Sequence, residues 1–126
     1  MRHSLLALLF SAAVGLALPL PALADAALDA KWNAAYDAVL KNPGDTALNR
    51  QYLDLSIERE DYEAAIPPIE RMLAKEPNNV GLIFKLGQMY QKLHSDKVAQ
   101  GYFKQVATHP KASVEMRAAA SALIKH

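Results

Sequence analysis

The chain has 126 residues, 52% of them apolar, with 14 basic against 13 acidic side chains and no cysteine. A charge this close to balance supplies no overall pull toward nucleic acid or acidic lipid. The missing cysteine excludes a thiol nucleophile, a disulfide-stapled scaffold and a lipid-bearing N-terminal cysteine.

Residues 1–24 read as a secretory signal peptide. "MRH" is a short basic start, "SLLALLFSAAVGLALPLP" is apolar, and Ala22 and Ala24 supply the A-x-A pattern that a signal peptidase recognises. Gly15, Pro19 and Pro21 interrupt the run short of the about 20 apolar residues that a membrane span needs. Cleavage is expected after Ala24, with the product 25–126 in a bacterial periplasm and not stably inserted in the membrane. That product is 102 residues with 13 acidic and 13 basic side chains, one domain with one core. Its charge is uneven: residues 45–76 carry a net −4 and residues 77–126 a net +5.

Six helices are expected in chain order. The first, 26–41, has Trp32, Ala35, Tyr36, Val39 and Leu40 on its apolar face. The second, 46–58, aligns Leu48, Tyr52, Leu55, Ser56 and Ile57, and starts at the capping residue Asp45. The third, 62–75, aligns Tyr62, Ala65, Ile66, Ile69, Met72 and Leu73, yet holds Pro67 and Pro68 in mid-pattern. Proline removes a helix hydrogen bond and clashes with the preceding turn. The expectation is a bend near the entry of this helix, capped by Asp61, or regular helix beginning only at Pro67. The fourth, 80–93, is the clearest, with Leu82, Ile83, Leu86, Met89, Tyr90 and Leu93 in phase behind Asn79. The fifth, 96–108, aligns Val98, Ala99, Tyr102, Phe103 and Val106. The sixth, 113–125, has Val114, Ala118, Leu123 and Ile124 as its apolar residues, Ser113 as its cap and a basic end suited to a helix C-terminus. No segment alternates as a strand, so the fold class is all-α, with short breaks joining antiparallel neighbours.

The helices recur with a period. Pro43 and Pro77 are 34 apart, and Pro77 and Pro110 are 33 apart. Displacement by 34 pairs Leu48 with Leu82, Ala65 with Ala99, Ile69 with Phe103 and Met72 with Val106. "IFKLGQMY" contributes Ile83, Leu86, Gly87 and Tyr90, followed by Ala99 and Phe103. "DYEAAIPPIERMLAKEPNN" contributes Tyr62, Ala65, Ile69 and Pro77. This pattern resembles the tetratricopeptide repeat (TPR). Departures are Ile83 in place of the tryptophan, Pro110 one residue early, and Asn49, Tyr52, Leu53 and Ser56 at the four signature positions of the preceding unit. The resemblance implies an α-α superhelix over 25–126: a half-unit, repeats at about 46–79 and 80–113, and a capping helix. The chain is also similar to the repeat segments that precede outer-membrane β-barrels, although no barrel segment is expected here.

No catalytic signature occurs: G-x-S-x-G, a Walker-type loop and H-E-x-x-H are all missing from the sequence. Asp54, Glu58 and Asp61, at i, i+4, i+7, open the reading of a cation or basic-peptide site, against a solvated acidic face relieved by Arg50 and Arg59. His94 and His109 are expected at helix C-termini, and no histidine spacing suggests a metal site. Trp32 and Tyr36 are assigned to the core by phase, whereas Phe84 falls out of phase and is expected to be exposed.

The family resemblance implies a concave groove lined by Arg50, Asp54, Ile57 and Glu58 from one repeat and Phe84, Gln88, Gln91 and Lys92 from the next. This set lacks the Lys and Asn cluster that clamps a C-terminal carboxylate, so an amphipathic helix or extended segment is the expected ligand. The sequence reading is therefore a non-catalytic adaptor without cofactor or metal that binds another protein of the cell envelope. Two alternatives stay open: a stacking subunit with weak self-association through its acidic and basic halves, and a metal or cation carrier.

Overall fold

A computed structural model of the protein describes residues 15–17 and 19–126. Its helices are α1 (Leu20–Lys41), α2 (Thr46–Glu58), α3 (Tyr62–Lys75), α4 (Val80–Lys92), α5 (Asp96–Ala107) and α6 (Val114–Leu123). The architecture is an all-α helical-repeat stack in which each helix packs mainly on those before and after it in the chain. No helix among the described residues is long and apolar enough to cross a membrane. Most of the expected signal peptide lies outside the described residues.

Local chemistry repeats with the stack. The side chains of Asp45, Asn79 and Ser113 accept from the backbone N–H of Leu48, Leu82 and Met116 at 3.0, 3.2 and 3.1 Å. These caps, 34 residues apart, start α2, α4 and α6. Each removes an orphan donor from a first turn, worth about 1 kcal/mol. The exits of α2 and α4 also match: Glu60 and His94 adopt left-handed φ of 58° and 57°. In each case the next residue's N–H reaches the carbonyl five back, Asp61 to Ser56 and Ser95 to Tyr90, both at 2.9 Å. That is the hydrogen bond of a Schellman-type helix stop.

Three apolar clusters form the core. Leu53 of α2 joins Ala65, Ile69 and Met72 of α3 and Leu82, Leu86 and Met89 of α4. Val80 and Ile83 of α4 join Val106 of α5, Ala120 of α6 and Ala112 before it. Ala35 and Val39 of α1 close on Tyr52 of α2.

The structure corrects four expectations. First, α1 starts at Leu20 rather than residue 26, because Pro19 and Pro21 lie at the cap and first turn, where proline is tolerated, and alanines follow. Second, α3 is helical from Tyr62 with Pro67 and Pro68 inside it, so its helix does not begin only at Pro67. Asp61 caps this helix through Ala64, and fully buried Ala65 and Ile69 anchor it, so packing overrides the proline penalty. Third, Tyr36 and Leu40 are 41% and 59% exposed, since the α1–α2 contact centres on Ala35 and Val39. Fourth, α6 turns Met116, Ala120 and Leu123 inward. Val114, expected on the apolar face, is 76% exposed, and Ala118 is also exposed. The cause is helical phase: burial of Ala120 against α4 and α5 points Val114 and Ala118 outward.

Candidate docking surface

The α1–α2 pair is joined by polar and aromatic contacts as well as by its small cluster. Trp32 Nε1 donates to Ser56 Oγ at 2.9 Å, and Ser56 Oγ donates to the Tyr52 carbonyl at 2.8 Å. Tyr36 stacks on Trp32 with 5.7 Å between ring centroids and 2° between planes, and Tyr52 tilts against both. The Arg59 guanidinium lies 4.3 Å from the Trp32 ring centre and 2.8 Å from Asp29, tying the end of α2 to α1. Burial pushes the Tyr52 hydroxyl above its ordinary pKa, a shift partly offset by the hydrogen bond with Ser56.

On the flank of this pair lies a recess of about 500 Å³ lined by Lys31, Ala47, Arg50, Gln51, Asp54, Leu55 and Glu58. Ala47 and Leu55 supply its apolar lining, and two cations and two carboxylates supply its charged lining. Displacement by 34 turns Lys31 into Ala65 and Leu55 into Met89. Both of those are buried beneath Leu53 of α2. The groove between α3 and α4 is thus filled by the preceding helix. The matching groove between α1 and α2 is open among the described residues.

The eight residues expected to line one groove divide in two. Arg50, Asp54 and Glu58 meet in the recess, while Ile57 turns partly into the central cluster. None of the four from α4 lines it. Phe84 is half-buried rather than exposed: its ring centroid is 5.7 Å from that of Phe103, and it packs on the cluster of α4, α5 and α6. Gln88 and Gln91 are half-buried, and the Lys92 ammonium lies 5.8 Å from the Tyr62 ring centre. The expected Asp54–Glu58–Asp61 carboxylate face does not form either, because Asp61 caps α3 and lies 3.7 Å from Arg59.

Sequence reasoning missed Lys31, Ala47, Gln51 and Leu55 as lining residues. A signal was present for Lys31, which stands in the register of Ala65 and Ala99, where two helices cross closely. A lysine there marks a helix side not covered by a close neighbour. A second recess, about 340 Å³ and lined by Asp25, Leu28, Asp29, Glu58, Arg59 and Glu60, shares Glu58 with the first. Among the described residues no group of three or more His, Asp or Glu side chains is arranged to hold a metal ion. No family model, curated protein or solved structure matches the chain.

Proposed function

We propose that the protein is a non-catalytic interaction module of tetratricopeptide type, exported to the bacterial periplasm, which docks a helix or peptide of a cell-envelope protein in the α1–α2 recess. The observation that carries this reading is the groove, open among the described residues, at a position filled by the preceding helix in the other two units. Its apolar lining suits the narrow stripe of an amphipathic helix, and its charged side chains orient one. The recurrence of caps and left-handed stops at 34-residue spacing supports the family assignment.

The test is photocrosslinking in bacterial cells from two positions. A photoreactive residue at Gln51, on the recess wall, is expected to capture one discrete partner, and Asp54→Lys is expected to abolish that capture. The same partner captured from Lys111 and not from Gln51 overturns the assignment of the surface. For export, the expected result is a periplasmic protein whose N-terminus is Asp25.

A further inference from the structure

We infer that the occupant of the α1–α2 recess is α6 of a second copy of this chain, so that copies stack head to tail. This deepens the reading above and rests on the recess being a docking surface. Within one molecule, the groove between α3 and α4 is filled by α2, and the groove between α5 and α6 by α4. The helices α2, α4 and α6 form one register class, begun by caps 34 residues apart. The recess is the corresponding groove one unit earlier, so it accepts a helix of that class. Of the three, α4 is largely covered and the free side of α2 is the recess itself, which leaves α6, whose free side among the described residues exposes Val114, Ala118, Ser121 and Ala122. These side chains are small enough for close helix approach. Docked in the recess, α6 and the α1 of the next copy stand as α2 and α3 do within one chain.

Charge points the same way. Residues 25–76 carry a net −5 and residues 77–126 a net +5. Alternate helices of an antiparallel stack run parallel, so the C-terminal end of α6 arrives beside the C-terminal end of α2. This brings Lys125, just past the end of α6 and held within one copy in an exposed ion pair with Asp96 at 3.2 Å, toward Asp54 and Glu58, which compete for it, and Glu115, at the start of α6, toward Arg50. Lys31 lines the recess with Glu58 and so faces the last turn of the incoming helix, where a cation is favoured. The contact joins different surfaces of two copies and does not close on itself, so it generates open chains of copies.

Because the chain has no cysteine, paired substitutions report the geometry directly. Ala47→Cys combined with Ala118→Cys is expected to give a ladder of dimers, trimers and larger species on oxidation at low ionic strength. The ladder should fade at about 1 M salt, where the screening length falls to about 3 Å. Each single variant should stay uncrosslinked alone, and a mixture of the two should give dimers. Asp54→Lys with Glu58→Lys is expected to weaken self-association, read by sedimentation, about tenfold or more. Lys125→Glu protein added to that variant should restore hetero-association. Equal crosslinking of a single variant with itself overturns the head-to-tail arrangement. A monomer at every concentration and salt, with Gln51 capturing a different protein, overturns self-stacking and leaves the docking surface standing. Neither ladder nor capture overturns both.

Discussion

The two complete repeats, α2–α3 and α4–α5, put opposite chemistries in the same four register positions. In α4 these are Ile83, Leu86, Gly87 and Tyr90, and in α2 they are Asn49, Tyr52, Leu53 and Ser56. Asn49 and Ser56 are as buried as Ile83 and Leu86, because every polar atom they bring has a partner. Asn49 Nδ2 donates to the carbonyls of Pro43 and Asp45 at 2.8 and 2.7 Å, and its Oδ1 accepts from Arg71 at 3.0 Å. At the helix crossing the difference is one of volume. Gly87 faces the large Phe103, while Leu53 shares its cluster with the smaller Ile69. A helical repeat therefore keeps the fit between positions and leaves the residue types free to exchange.

That contrast breaks first at the crossing, where the two repeats should fail in opposite ways. Removing volume harms the first repeat: Leu53→Ala opens a cavity at a fully buried site and should cost about 2–5 kcal/mol by denaturant unfolding. Adding volume harms the second. A Cβ at position 87 would stand 2.8 Å from Phe103 Cε1 and 3.1 Å from Tyr102 Cβ, and the Phe103 ring is fully buried. Gly87→Ala should therefore cost about 1–3 kcal/mol despite the better helix propensity of alanine. Phe103→Leu in the same chain should recover part of that loss, seen as a favourable coupling in a double-mutant cycle.

The polar scheme of the first repeat is the next place to sharpen the comparison. Asn49→Ala leaves the half-buried Arg71 without its acceptor and should cost about 1–3 kcal/mol. Ser56→Ala removes the acceptor of Trp32 Nε1, for about 1 kcal/mol, with a shift in emission of the one tryptophan in the chain. Ile83→Ser offers a control in the second repeat: it deletes apolar contacts and leaves Trp32 emission unchanged.

How far this was readable beforehand depends on what set each residue's place. Helix limits followed from caps and periodicity, so α2 and α3 run as expected, and α4 and α5 end one residue early. The register of Asn49 and Ser56 was legible, since they stand 34 residues before Ile83 and Tyr90, but their partners Arg71 and Trp32 arrive from other helices and leave no local trace. Phe84 was misjudged because phase predicts which side of its own helix a residue occupies, whereas α5 and α6 wrap far enough to cover it. The recess was half-legible: Arg50, Asp54 and Glu58 form a helical stripe, but Lys31 reaches it only through the docking of α1 on α2.

The smallest expected effect tests where the repeats agree. Glu60 and His94 hold left-handed backbone at φ near 58° and 57°, one register apart, in a conformation that crowds any side chain with a Cβ. Glycine fits that conformation without strain, although it also loosens the unfolded chain. At a Schellman stop the relief of strain outweighs that loosening, so Glu60→Gly and His94→Gly should each stabilise by about 0.5–1 kcal/mol. Neither side chain makes a hydrogen bond or ion pair among the described residues that the change would forfeit. Equal gains, adding in the double variant, are expected if the stop is one backbone device used twice. Unequal gains in thermal unfolding would mean that the helix exits differ between the repeats as much as the crossings do.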